Sequence, residues 1–121
     1  MTVAEDVWTD ILTVTISVPQ AMLGAAVLIL ANMSASVTVN SSGSVEVYWR
    51  VLRGAAVLRS SGKTVTTQAT DIDVGALFHV DTSPGVGSVT YKLQAMKNQV
   101  SGSHTVTVKP PAAMNVQGWI N

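Results

Sequence analysis

The residue types that could carry chemistry are few, and their spacing holds little together. His79 and His104 are the only histidines, and only His79 has another ligand-type residue at a useful spacing, Asp81 two positions on. On a strand that spacing puts both on one face, but a zinc site or a poised general base needs more partners than this pair supplies. Asp71 and Asp73 in TDIDVG open like a calcium loop, yet the next acidic or amide position and the closing glutamate are missing. They read as loop acids that accept from backbone amides. No Gly-x-Ser-x-Gly elbow is present, and no carboxylate pair has a spacing suited to glycoside chemistry. The chain has no cysteine, which removes thiolate metal sites, disulfides and a cysteine nucleophile.

Pro84-Gly85-Val86-Gly87 raises the question of a phosphate cradle. Such cradles need a helix N-terminus or a nest of amides, with a further glycine or a Gly-Lys-Ser/Thr ending. Here Val89, Tyr91, Leu93 and Ala95 alternate with Thr90, Lys92, Gln94 and Met96, so a strand leaves the glycines and the motif is a turn. The expectation is a protein without catalytic residues, cofactor or metal. Trp49 falls on an inward face and belongs to the core, whereas Trp8 and Trp119 lie near the termini, where an indole could stack on a sugar or base. Asn32-Met-Ser34 and Asn40-Ser-Ser42 match the glycosylation sequon by chance in a serine-rich chain.

Seven basic and seven acidic residues cancel, so no broad field attracts nucleic acid or an anionic membrane. The start, MTVAEDVW, carries acids where a secretory signal carries basic residues, and the apolar run from Met22 to Ala31 is too short to span a bilayer. A soluble, cytosolically made product is expected. Only 12% of residues are charged while 47% are apolar. Much of the surface must therefore be uncharged, a composition that favours burial between subunits.

The elements that position these residues are strands. Valine and threonine dominate, and Gly, Ser and Asn clusters separate alternating segments. Leu12, Val14, Ile16 and Val18 share one face of ILTVTISV; from Val27 to Val39 every odd position is apolar. Val45, Val47, Trp49 and Val51 point inward, and Arg53-Gly54 turns that strand into a partner at 55 to 59. Further strands are expected near 63 to 68, 76 to 81, 87 to 97, 103 to 109 and 114 to 120. The fold class is all-β: one domain over residues 1–121, an antiparallel sandwich or jelly roll of about eight or nine strands. Leu28, Leu30, Tyr48, Leu52 and Met96 point away from the core, and on one sheet they would form a patch of the kind found at subunit contacts. They are the expected oligomer interface.

In their order, ILTVTISVP, VLILANMSASV, VEVYWRVLRGAAVLRSS and FHVDTSPGVGSVTYKLQAM resemble a phage-encoded jelly-roll module, similar to C1q and tumour necrosis factor heads. Such modules occur in tail fibres and as small capsid decoration proteins. The resemblance spans roughly residues 9 to 97. It implies a homotrimer whose outward apolar positions meet around the axis, and it implies no catalysis. The ending MNVQGWIN departs from the more aliphatic closing strand of that group. The chain reaches its first strand within about ten residues of Met1, without a shaft segment. That favours a freestanding decoration, or cement, protein on the capsid surface of a virion, with the major capsid protein as partner. The alternatives are the host-receptor-binding head of a tail fibre and a small carbohydrate-binding or hydrolytic jelly-roll protein.

Overall fold

A computed structural model describes residues 6–18, 26–39, 44–65, 70–85, 87–101 and 104–119. Seven strands run through them: β1 (Thr9–Val18), β2 (Ala26–Val39), β3 (Ser44–Arg53), β4 (Ala56–Val65), β5 (Thr70–Asp81), β6 (Gly87–Ser101) and β7 (His104–Trp119). Within the described residues the segments expected as strands are found in strand, except that Ala55 lies in the turn; residues 66–68, 103 and 120 lie outside those described. Two pairs of them, 55 to 59 with 63 to 68 and 103 to 109 with 114 to 120, are joined into the continuous β4 and β7.

One sheet has the order β1-β6-β3-β4 and the other β5-β2-β7, with every pairing antiparallel. The winding follows from the pairs. β3 and β4 form a hairpin in the first sheet, β2 and β5 pair next in the second, and β1 and β6 pair in the first again. An antiparallel ribbon rolled over in this way is a jelly roll. β7 closes the chain alongside β2.

Local chemistry explains the turns and irregularities. Gly54, Gly85 and Gly87 have φ of 56°, 86° and 87°, a region that glycine enters without a Cβ clash. The Gly54 N–H donates to the Thr90 carbonyl at 2.9 Å and ties the β3–β4 turn to β6. In the second sheet the register slips between Asn32 and Ser34 against both neighbours. Opposite this point β7 carries Pro110-Pro111, which have no N–H to give to a ladder, and β5 carries Gly75. All three strands are interrupted at one level.

The core lies between the sheets. Val27, Ile29, Ala31, Met33 and Ala35 of β2 are buried, as are Val45, Val47, Trp49 and Val51 of β3 and Val89, Tyr91, Leu93 and Ala95 of β6. These are the inward faces expected from the period of two. Val37 and Val39 of the same stripe lie outside the residues whose side chains are described. Emptying a site such as Ile29 to alanine would cost about 2–5 kcal/mol.

Among the described residues one charged side chain is buried inside. Asp81, at the end of β5, is 3% exposed and spans the two sheets. Its Oδ1 accepts from Arg53 Nη1 of β3 at 2.6 Å and from the Ser83 N–H at 3.1 Å, and its Oδ2 accepts from the Tyr91 hydroxyl of β6 at 2.8 Å. Burial pushes this carboxyl up, but the bonds from Arg53, Tyr91 and the Ser83 amide, with the Arg53 charge, outweigh it and hold it below the ordinary aspartate value. The same burial, with the Asp81 carboxylate beside it, pushes the Tyr91 hydroxyl well above the ordinary tyrosine value.

Candidate interaction surface

The two outer faces of the sandwich differ in kind. On the four-stranded sheet, register sets Arg50 of β3 opposite Gln94 of β6, and Gln94 opposite Asp10 of β1. Arg50 Nε donates to Gln94 Oε1 at 2.9 Å, Gln94 Nε2 to Asp10 Oδ1 at 2.6 Å, and Lys92 Nζ to Asp10 Oδ2 at 3.2 Å. The bonds from Gln94 and Lys92 hold the Asp10 carboxyl below its ordinary value. Trp8 lies with its indole 4.0 Å from the Arg50 guanidinium, and the Thr15 and Thr90 hydroxyls are 3.0 Å apart. Tyr48 stands directly opposite Met96 and on its other side opposite Gly62, where its ring occupies the space a Cβ would need. This face is crossed by its own long side chains, with Val57 of β4 left 50% exposed at its edge.

Among the described residues, the end of the three-stranded sheet around Leu30 is not crossed in this way. Leu30 of β2 is 43% exposed and Phe78 of β5 is 55% exposed, and the two are cross-strand partners. Leu28 and Val80, the next pair on the same face, are half-buried. On the far side, Ala113, Asn115 and Gln117 of β7 are exposed. A shallow groove of about 340 Å³ runs here, lined by Leu30, Ala31, Asn32, Ala113 and Asn115. None of Leu28, Leu30, Asn32, Phe78, Val80, Ala113, Asn115 and Gln117 carries a charge.

This arrangement corrects the expected interface in two respects. The five outward residues do not share a sheet: Leu28 and Leu30 belong to the three-stranded sheet, and Tyr48, Leu52 and Met96 to the four-stranded one. Period-two patterning assigns a side chain to the outside of its strand but cannot say to which sheet the strand belongs. Leu52, moreover, is only 5% exposed and offers no surface. It lies where the β3–β4 register slips, with Val51 opposite Arg59 and Leu52 opposite Val57, and the skipped Leu58 packs on the core. Phe78, the most exposed residue of the apolar face among those named here, escaped the sequence reading. Its signal was present in ALFHVD, where Phe78 and Val80 share one parity and Leu77, His79 and Asp81 the other.

The residues considered for chemistry are dispersed. His79 is half-buried opposite Ile29, and Asp81 beside it is committed to Arg53 and Tyr91. Among the described residues no group of three or more His, Cys, Asp or Glu gathers to hold a metal. Asp71 and Asp73 are not loop acids as expected but lie in β5, opposite Ser36 and Ser34; their side chains and those of His104 and Trp119 lie outside those described. Trp49 is buried in the core at 5% exposure, its indole N–H without an acceptor among the described residues. Gly85 and Gly87 both have positive φ, and a strand, β6, leaves Gly87, as expected; Val86 between them lies outside the described residues. Compared with known protein families, curated proteins and solved structures, the chain matches none of them.

Proposed function

We propose that this chain is a structural protein of a phage virion, a homo-oligomeric capsid decoration or cement protein that clamps the assembled shell. The observation that carries the reading is the contrast between its two outer faces. The four-stranded sheet is closed by an Arg50-Gln94-Asp10 row, whereas the three-stranded sheet presents Leu30 and Phe78 beside an uncharged groove. Covering the Leu30–Phe78 end of that face, away from the Asp71, Asp73 and Lys109 positions that pair with Ser36 and Ser34, desolvates no charge, and burying an exposed leucine or phenylalanine contributes roughly 1.5–3 kcal/mol each. The face therefore favours a protein partner over a charged or polar small ligand. On a shell that partner is the major capsid protein. A protein that binds the assembled lattice and not its loose subunits stabilises the lattice by mass action. The jelly-roll winding and the resemblance over residues 9 to 97 support the same reading.

The test is reconstitution. Purified protein added to capsids that lack it is expected to bind saturably and to raise their melting temperature, and Phe78→Asp is expected to abolish both effects. Binding to host cells in place of capsids would reassign the chain to a tail-fibre head. Binding to a polysaccharide that is lost in Trp8→Ala would reassign it to carbohydrate recognition.

A further inference from the structure

Four strand edges border the two sheets, and three of them carry the features that discourage a second chain from pairing. β4 has Arg59 and Lys63 with a register slip at Leu58, β1 has Asp10 with a slip at Ile11, and β5 has Asp71, Asp73, His79 and Asp81. The first half of β7 has Lys109 and then Pro110-Pro111. The remainder of β7, from Ala112 to Trp119, has no charge and no proline, and from Ala113 to Trp119 its register against β2 is unbroken.

Among the described residues the other edge of this segment has no hydrogen-bonded neighbour, although β1 of the facing sheet packs near β7, and it forms an open lane for ladder bonds. Among the described residues β7 pairs with β2 alone. Ala112, Met114 and Val116 pack against the core yet are only partly buried, so the core is left incompletely covered along this edge. An added strand would complete their burial.

We propose that a second copy of this chain fills the lane, its own residues 112–118 running antiparallel to the first about a two-fold axis through Asn115. Antiparallel pairing of a strand with itself keeps each face with its like when the axis passes through a residue. Met114 then stands opposite Val116 on the core side, and Ala113 opposite Gln117 on the outer side. Apolar meets apolar, neutral meets neutral, and no like charges oppose one another. The result is a six-stranded sheet, β5-β2-β7 continued by its symmetry mate. Its outer face carries two Leu30–Phe78 pairs, and the two grooves beside Ala113 and Asn115 become neighbours across the axis. This rests on the proposed function, since the doubled apolar face is the one assigned to the shell, and it replaces the three-fold arrangement that the resemblance implied with a two-fold one.

Light scattering and sedimentation of the full chain test the pairing. Two copies are expected at micromolar concentration. Ala113→Lys with Gln117→Lys sets like charges opposite each other twice across the axis, on side chains that are exposed in the single chain. It is expected to weaken association by about tenfold or more while the circular dichroism spectrum stays unchanged. Ala113→Lys with Gln117→Glu is expected to restore the pair and to make it salt-sensitive. A wild-type mass of one copy, a mass of three copies that neither variant alters, or equal association by both variants would overturn the inference. Phe78→Asp separates the two readings: it is expected to keep the pair and lose the capsid. Wild-type protein that pairs but ignores capsids would sink the proposed function and leave the edge pairing standing.

Discussion

Tyr91, on β6 of the four-stranded sheet, donates its hydroxyl across the sandwich to Asp81, at the end of β5 in the three-stranded sheet, at 2.8 Å. With Arg53 on the other carboxylate oxygen, three strands from two sheets meet at one buried group. Hydrogen bonds to a charged acceptor contribute about 1.5–3 kcal/mol each. Tyr91→Phe is expected to lose about that much stability in urea unfolding. Asp81→Ala, which orphans the tyrosine hydroxyl and strips Arg53 of its partner, should cost about 3 kcal/mol or more.

The same network sets an acid limit. The folded carboxyl of Asp81 is depressed, so its contribution is fully present above the unfolded aspartate value of about 3.9 and is lost as pH falls through the lower folded value. Wild-type stability should decline below about pH 4. Asp81→Asn should be less stable at neutral pH and show a shallower acid slope, measured by chemical denaturation across pH. Tyr91 has the opposite sense: its raised folded value means that stability falls as pH rises past about 10.

Gly62 is fixed by Tyr48 and not by backbone conformation. A Cβ built on Gly62 would lie 2.6 Å from Tyr48 Cδ1 and 2.8 Å from Cε1. Gly62→Val should displace the ring and destabilise the β3–β4 pair by about 1–3 kcal/mol. In Tyr48→Ala the same substitution should be close to neutral, since β-branched residues suit strands. A double-mutant cycle reads this coupling, and additive costs would show that the ring is not the obstacle.

Phe78 separates stability from association. At 55% exposure it contributes little to the single chain, so Phe78→Asp is expected to shift unfolding by no more than about 1 kcal/mol while removing capsid binding. Ile29→Ala, in the fully buried core, is the contrasting control and should cost about 2–5 kcal/mol.

Much of this architecture is legible along the chain, and the parts that are not share a cause. The stripe from Val27 to Ala35 and the inward sets of β3 and β6 follow from alternation, because a half-buried strand must segregate its two faces. Alternation is blind to what lies across the ladder. It could not place Leu30 beside Phe78, or Tyr48 beside Met96, because those neighbours are set by pairing between strands distant in sequence. It could not foresee the burial of Leu52, where a register slip changes the surroundings of a nominally outward position. Nor does spacing show that Asp81, two residues from His79, serves an arginine and a tyrosine on other strands.

The nested winding has a consequence for how the molecule is made. β3 and β4 are joined by a tight turn; β2 must wait for β5, and β1 for β6, before either has a partner. A ribosome emitting this chain would release β2 with its buried stripe long before β7 arrives to flank it. Assembly should zip outward from the Gly54 turn, and nascent chains stalled short of His104 should be the species that chaperones hold and proteases clear.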